Sequence, residues 1–233
     1  MNIKIIGGLL CKNEAERWLN KFLASFSQLC DEIVVIDDKS NDKSPEICAK
    51  YGTVYLSPES YFETREWMQR ETLFHLCLAR ANLNDWVIIL DADELLNDSH
   101  NLRKFLINCP VCYNGYSIKL YDMWNETHYR SDFYWNAHER HWQMATRKRD
   151  IDYTWRKTNL HCGRLPLEIK EDKICYNESF YIKHMGWSTE KDRLHKYDRY
   201  MKIDGNGQFG WLDQYKSILD KHPNLIKLED KNI

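Results

Sequence analysis

The sequence predicts an α/β protein with one mostly parallel, Rossmann-like sheet flanked by helices. Two observations lead to this prediction: apolar runs alternate with helical patterns, and polar loops follow the runs. The runs typical of buried strands cover residues 3–10, 33–36, 53–56 and 86–90. Strands that alternate with helices form right-handed βαβ units, so we expect a parallel sheet with a ligand crevice at its carboxyl edge.

Three helical patterns lie between these predicted strands. The first is predicted to begin at Asn13, an N-cap residue with Glu16 in the capping-box position. The second is predicted to begin near Ser44 and to end at Gly52, because a proline follows its start and glycine often follows a helix. The third covers residues 62–81.

The second half of the chain has a different pattern. Alternating apolar and polar residues at 115–124 and 179–185 predict added strands, while residues 125–152 are interpreted as a loop. Helices are predicted at residues 99–108, 188–201 and 211–221. The basic stretch 191–199 is interpreted as a solvated helix face. No linker is evident, so we predict one domain whose halves, residues 1–98 and 99–233, share a sheet.

Charge and hydropathy exclude several classes of protein. The 33 basic and 35 acidic side chains of the 233 residues argue against general nucleic-acid binding, and we expect no such partner. No apolar run approaches the roughly 20 residues of a transmembrane helix. The apolar start lacks a small-residue cleavage site and is interpreted as a strand. We expect a cytoplasmic protein, with peripheral membrane contact as an alternative.

The eight cysteines are spread through apolar segments and are expected to be free thiols. Cys109 and Cys112 have the spacing of a redox or zinc pair. Because no second pair completes a four-ligand site nearby, free thiols are favoured over structural zinc.

The most informative local feature is the acidic segment Asp91-Ala92-Asp93-Glu94, which follows an apolar strand. Three carboxylates at the end of a buried strand cost stability unless a cation or hydrogen-bond donors neutralise them. A divalent metal is a natural partner for such oxygens. The alternative is an acidic helix N-terminus, where the helix dipole favours carboxylates.

Two further polar loops favour the metal alternative. The strand at 33–36 is followed by Asp37 and Asp38, and the first strand by Lys12, Asn13 and Glu14. Three polar loops at one edge of a parallel sheet indicate a nucleotide site more strongly than three independent turns do.

The segments LLCKNEAERWL, EIVVIDDKSNDKS, REWMQRETL and DWVIILDADELL, in this order, resemble the N-terminal half of GT-A-fold glycosyltransferases of family 2. The resemblance covers roughly residues 3–97. It implies inverting transfer of a sugar from a nucleotide-sugar donor to a hydroxyl of a glycan, lipid-linked or protein acceptor, with Mn²⁺ or Mg²⁺ as cofactor. Lys39 and Glu71 depart from the family pattern. The resemblance therefore does not identify the nucleotide base or the sugar of the donor.

The resemblance also implies a set of site residues. The implied nucleotide-sugar-binding residues are Leu10, Lys12, Asn13, Glu14, Asp37, Asp38, Arg70, Asp91 and Ala92. The implied metal ligands are Asp91, Asp93 and His184, with a buried histidine bonded to backbone as the alternative for His184.

Transfer with inversion requires a carboxylate that takes the acceptor proton. The second half offers several carboxylates: Asp122, Glu126, Asp132, Glu139 and Glu168. We predict Glu139 as the base, because the pair His138-Glu139 in an aromatic loop resembles the acidic motif of the family.

Six of the nine tryptophans lie beyond residue 120. Aromatic faces stack on sugars, so Trp135 and Trp142 are predicted to bind the acceptor, with core packing as the alternative.

Other functions stay open from the sequence. A sugar nucleotidyltransferase shares such a sheet but needs a glycine-rich phosphate loop after the first strand, whereas Gly7 and Gly8 lie within that strand. A non-enzymatic carbohydrate- or nucleic-acid-binding module would use only the aromatic half. A transition-metal site at His138, His141 and His161 lacks helical ligand spacing.

Overall fold

The structure is a computed structural model that describes residues 3–229. The strands are β1 (Ile5–Cys11), β2 (Glu32–Asp37), β3 (Thr53–Leu56), β4 (Trp86–Ile89), β5 (Glu94–Leu96), β6 (Gly115–Asp122), β7 (His128–Arg130), β8 (His141–Arg147), β9 (Ile174–Cys175), β10 (Tyr181–His184) and β11 (Leu225–Lys227). The helices are α1 (Leu19–Leu29), α2 (Ser44–Cys48), α3 (Glu66–Leu78), α4 (Ser99–Asn108), α5 (Glu190–Asp204) and α6 (Leu212–Ser217). Short 3₁₀ turns lie at Ala137–Glu139, Leu167–Glu171 and Met185–Trp187.

Both halves of the chain contribute strands to one sheet. Its order is β3-β2-β1-β4-β8-β6-β10-β5, and β9 pairs with β6. The first four strands are parallel, β8 is antiparallel to β4 and β6, and β10 is parallel to β6. The carboxyl ends of β1, β2, β4, β6 and β10 therefore lie at the same edge of the sheet.

The core lies on both faces of β1, where helices approach closely. Helix α1 places Phe22 and Phe26 on one face, and α3 places Leu73 and Cys77 on the other. A Cβ atom at Gly7 would lie 2.7 Å from the Phe26 ring, and the strand tolerates this approach because glycine has no side chain.

The predicted strands of the first half and the predicted helix over 99–108 are confirmed. The predicted start of the first helix is wrong, because α1 begins at Leu19. Asn13 instead has a φ of 53° and accepts a hydrogen bond from the backbone nitrogen of Asn41 at 2.9 Å. An asparagine tolerates this left-handed conformation, and here it links two loops rather than capping a helix.

The interpretation of residues 125–152 as a loop is also wrong, because β8 lies in the centre of the sheet between β4 and β6. Arg147 ends this strand and is 1% exposed. Its guanidinium donates to the carbonyl oxygens of Tyr113, Asn84 and Cys109 and lies over the Trp86 ring. Because its guanidinium is hydrogen-bonded to carbonyl oxygens inside the protein, Arg147 can be buried in this strand. The hydropathy pattern therefore did not indicate a buried strand here.

All eight cysteines are free thiols. Within residues 3–229, no helix combines the length and the apolar character needed to cross a membrane.

Candidate active site

The loops after β1 and β2 form one unit. The backbone nitrogens of Asn13 and Glu14 donate to the hydroxyls of Ser40 and Ser44 at 2.9 and 2.8 Å. The carboxylate of Asp42 accepts from the next backbone nitrogen, that of residue 15, at 3.0 Å. The two loops that the sequence predicted as a shared nucleotide site are therefore joined directly.

Asp38 is fully buried and satisfied by its own chain. Its oxygens accept hydrogen bonds from the Ser60 hydroxyl at 2.6 Å, the backbone nitrogen of Tyr61 at 2.7 Å and the Gln69 amide at 2.6 Å. Lys12 pairs with it at 3.4 Å. Asp38 thus holds the loop after β3 and helix α3 against the end of β2.

The other residues of the predicted nucleotide set lie around this edge. Asp37 accepts from the backbone nitrogen of Ser40 through Oδ2, while its buried Oδ1 finds no hydrogen-bond partner within the described part of the chain. Leu10 and Ala92 are buried. Glu14 pairs with Arg17 at 2.6 Å.

Asp91 lies between two arginines. Its Oδ1 accepts from Arg70 Nη1 at 2.8 Å, and its Oδ2 lies 3.7 Å from Arg164 Nη2. Arg164 also donates to Glu94 at 2.7 Å, and Arg70 donates to Glu66 at 2.8 Å. Burial raises the pKa of Asp91, but the two arginines outweigh it and lower that pKa. Asp91 is therefore an ionised, tightly oriented carboxylate.

Asp93 has different cationic partners. Its Oδ2 lies 3.4 Å from Lys196 Nζ and 3.7 Å from His184 Nε2. The other ring nitrogen of His184, Nδ1, lies 2.7 Å from Asp122 Oδ1. Burial opposes the charge of Asp93, but Lys196 and His184 hold its pKa well below the usual range.

His184 lies between two carboxylates and the Lys196 ammonium. Burial and the Lys196 ammonium lower its pKa, but the carboxylates of Asp93 and Asp122 outweigh them and raise the pKa of His184 to about 9.

Gly186 borders the same space. A Cβ atom at this position would collide with Lys196 Nζ, Asp93 Oδ2 and His184 Nε2. No set of three or more His, Cys, Asp or Glu side chains in the described residues is already arranged to hold a metal ion.

The carboxylates Asp91, Asp93, Glu94 and Asp122 form an acidic cluster. This cluster opens into a cavity of about 360 Å³. Asp91, Glu94, Asp122 and His184 form part of its wall. Seven aromatic side chains form much of the remaining wall: Tyr134, Trp135, Trp142, His161, Trp187, Tyr200 and Tyr215. The acidic cluster and this aromatic cavity therefore share one opening.

The two predicted acceptor tryptophans differ in environment. Trp135 is 2% exposed, packs edge-on against Trp124 and Trp187, and donates its indole N–H to Ser217 at 2.9 Å. Trp142 is 36% exposed. Both line the cavity, but Trp135 is principally a core side chain.

The five carboxylates considered as the general base differ in their exposure and in their position relative to the cavity. Glu139 and Glu126 are exposed, and neither is among the described residues that line the cavity. Asp132 pairs with Arg130, and Glu168 accepts from the Thr154 backbone nitrogen at 3.0 Å. Asp122 alone of the five lines the cavity among the described residues.

The interpretation of residues 191–199 as a solvated helix face is wrong. Lys196 reaches Asp93, Arg199 pairs with Glu66 at 3.1 Å, and Arg193 donates to the Trp187 carbonyl at 2.6 Å. The spacing of these three residues, three apart along α5, places them on one side of the helix and was the available signal. Arg164 carried no comparable signal, because its partners are distant in sequence.

A model of the family described as Glycosyl transferase family 2 matches residues 9–165, more than half of the chain. The protein therefore belongs to this family.

Two curated relatives match parts of this chain. An uncharacterised protein of Mycobacterium tuberculosis is 24% identical over 221 residues, covering 89% of this chain and 52% of its own length. An uncharacterised glycosyltransferase of Rickettsia conorii is 29% identical over 133 residues, covering 50% of this chain and 39% of its own. The chain thus spans about half or less of the length of these curated relatives.

The fold matches that of a mannosyltransferase from Pyrobaculum calidifontis, solved in complex with GDP-Man and Mn²⁺. The TM-score is 0.54 at 12% sequence identity, and the match covers 96% of this chain and 66% of that chain. The predicted fold class, a GT-A-type mostly parallel sheet flanked by helices, is confirmed.

Proposed function

We propose that the protein is an inverting glycosyltransferase that moves a sugar from a nucleotide-sugar donor to an acceptor hydroxyl. The observation that carries this proposal is the shared opening of the acidic cluster and the aromatic cavity. A donor held at the carboxyl edge of the sheet would present its sugar to this cavity, which is the usual position of a ligand crevice in such a fold.

The donor half of the site uses the loops after β1 and β2 together with α3. Lys12, Asn13, Glu14 and the Asp37 carboxylate surround the nucleoside position in this proposal. Arg70 is a positioning residue, because it fixes Asp91 at 2.8 Å and is itself fixed by Glu66. Asp38 supports this pocket by holding its walls together.

The residues present fit a divalent cation. Asp93 Oδ2 and His184 Nε2 lie 3.7 Å apart, close enough that both could contact one ion. Carboxylate oxygen suits Mn²⁺ or Mg²⁺. An imidazole binds a metal in its neutral form, so the ion would displace any proton on His184 Nε2. The Asp122 carboxylate on His184 Nδ1 fixes the ring orientation, as carboxylates do for ligating histidines.

In the proposed site Asp93 and His184 hold the metal, and Asp91 lies beside it. A bound Mn²⁺ or Mg²⁺ supplies positive charge that offsets the charge developing on the diphosphate leaving group. The fold neighbour that contains GDP-Man and Mn²⁺ supports this assignment.

We propose Asp122 as the general base in preference to Glu139. Asp122 lines the cavity, where an acceptor hydroxyl would lie, whereas Glu139 is exposed outside its described walls. Asp122→Asn is expected to reduce kcat about 10²- to 10⁴-fold, while Glu139→Gln retains near-normal kcat. Loss only in Glu139→Gln would return the base to Glu139, and weaker Mn²⁺ binding in Asp122→Asn would attribute its loss to the orientation of His184 instead.

The aromatic wall favours a sugar-bearing acceptor. Aromatic faces pack against the C–H faces of sugars, and their polar edges bond to hydroxyls. Trp142 is the better placed of the two predicted acceptor tryptophans, since it is the more exposed.

The activity is tested by incubating the protein with UDP-, GDP-, CMP- and dTDP-sugars and measuring nucleotide release. We expect release from one nucleotide class, dependent on Mn²⁺ or Mg²⁺ and lost in Asp93→Asn. Absence of release with every donor, together with absence of nucleotide binding, would refute the proposed function.

A further inference from the structure

The geometry points to Lys196 as a built-in cation of the metal site. We propose that its ammonium fills the position between Asp93 and His184 when no metal is bound, and must leave before Mn²⁺ or Mg²⁺ can bind there. This inference rests on the metal site of the proposed function and assigns that site a competitor within the chain.

The distances support this assignment. Lys196 Nζ lies 3.4 Å from Asp93 Oδ2 and 3.5 Å from His184 Nε2, the two atoms that fit a divalent ion. The Lys196 side chain is 17% exposed, and its ammonium lies 4.3 Å from the centre of the Trp187 ring. The ammonium is therefore held inside the cluster rather than in solvent.

Residue 186 keeps the position accessible to Lys196. A Cβ atom there would collide with the ammonium and with both proposed ligand atoms. The space exists because glycine has no side chain, and its contents are the Asp93 oxygen, the His184 nitrogen and the Lys196 ammonium.

A divalent ion and the ammonium cannot both occupy this position, because each would contact the same Asp93 oxygen and His184 nitrogen and the two positive charges repel. A lysine is suited to leave, since its ammonium is carried on a flexible four-carbon stem. A nucleoside diphosphate beside the metal would offer the displaced ammonium new anionic partners. Metal binding and nucleotide binding should therefore assist each other.

The test is a titration of Mn²⁺ alone, by calorimetry or by electron paramagnetic resonance, into the full chain without nucleotide. Lys196→Met removes the charge and keeps the stem, and Lys191→Met makes the same change at an exposed position of α5. We expect Lys196→Met to bind Mn²⁺ roughly 10- to 100-fold more tightly than the wild type. Lys191→Met should match the wild type.

A second variant, Lys196→Gln, keeps a polar head group and tests the same point if Lys196→Met folds poorly. Unchanged or weaker Mn²⁺ binding in the folded Lys196 variants would overturn the proposal. Because the titration uses neither nucleotide nor turnover, its outcome is separate from that of the donor screen. Weak binding in the variants of a protein that releases nucleotide would refute only the role of Lys196.

Discussion

The substitution Asp38→Asn tests whether this buried carboxylate holds the wall of the nucleotide pocket. Oδ1 accepts from the backbone nitrogen of Tyr61 and the Gln69 amide, and Oδ2 accepts from Ser60 and the Phe62 backbone nitrogen. An asparagine presents an NH₂ group to one of these pairs. The asparagine orientation with the smaller free-energy cost places its NH₂ group at the Oδ2 position. There the Ser60 hydroxyl can turn to accept a hydrogen bond, and only the Phe62 backbone nitrogen loses its acceptor.

This orientation loses one hydrogen bond to a buried donor and weakens the others by removing the negative charge. A hydrogen bond to a charged group contributes about 1.5–3 kcal/mol, and an unsatisfied buried donor costs about 1–3 kcal/mol. We therefore expect Asp38→Asn to lower the free energy of unfolding by about 2–4 kcal/mol, measured by urea denaturation.

The matched control is Asp98→Asn. Asp98 caps α4 by accepting from the backbone nitrogen of Asn101 at 3.0 Å, and asparagine is an equivalent cap. We expect this control to change the free energy of unfolding by less than about 0.5 kcal/mol. If Asp38→Asn costs no more than the control, the proposed support of the loop by Asp38 is refuted.

Three further predictions concern the site. Burial raises the pKa of Glu14 to about 8 against the opposing Arg17. The unfolded state therefore loses this proton before the folded state does, and stability falls as pH rises from 4.5 to about 8. Glu14→Gln should accordingly raise the urea midpoint at pH 8 and leave it unchanged near pH 4, whereas equal effects at both values would contradict this. Gly186→Ala should weaken Mn²⁺ binding in a titration while retaining the wild-type circular dichroism spectrum, and unaltered binding would show that the space beside it is not needed. Trp135→Ala should destabilise the protein by about 3–5 kcal/mol in urea, because it empties a core position. Trp142→Ala should mainly raise the acceptor KM in steady-state transfer; the reverse pattern for the two tryptophans would contradict their assignment.

The first half of the fold was predictable because its strands are apolar runs with few exceptions. The Asp91 and Asp93 pair was visible for the same reason, as it breaks an apolar strand abruptly. In the second half, α4, β6 and β10 were also predictable from their patterns. Strand β8 was not, because it ends in polar residues such as Arg147, whose hydrogen bonds go to carbonyl oxygens distant in sequence. Local pattern carries no information about such partners.

The same limit applies to the site. Composition indicates that aromatic residues collect in the second half, but only packing separates a core tryptophan such as Trp135 from the exposed Trp142. The inward direction of Lys196 depends on how α5 packs against the turn Met185–Trp187. A helical face that bonds to distant carboxylates has the same sequence pattern as one that bonds to water.

In the proposed function, the acidic cluster after β4 binds a nucleoside diphosphate through a divalent metal. The most direct test is calorimetric titration of UDP and GDP into the wild type and Asp93→Asn, each with Mn²⁺ and with EDTA. We predict that the wild type binds one of the two nucleotides with Mn²⁺ and loses at least tenfold in affinity in EDTA, about 1.4 kcal/mol. Asp93→Asn should bind weakly in both conditions. Equal nucleotide affinity of the wild type with Mn²⁺ and with EDTA, or full Mn²⁺ dependence in Asp93→Asn, would contradict the account.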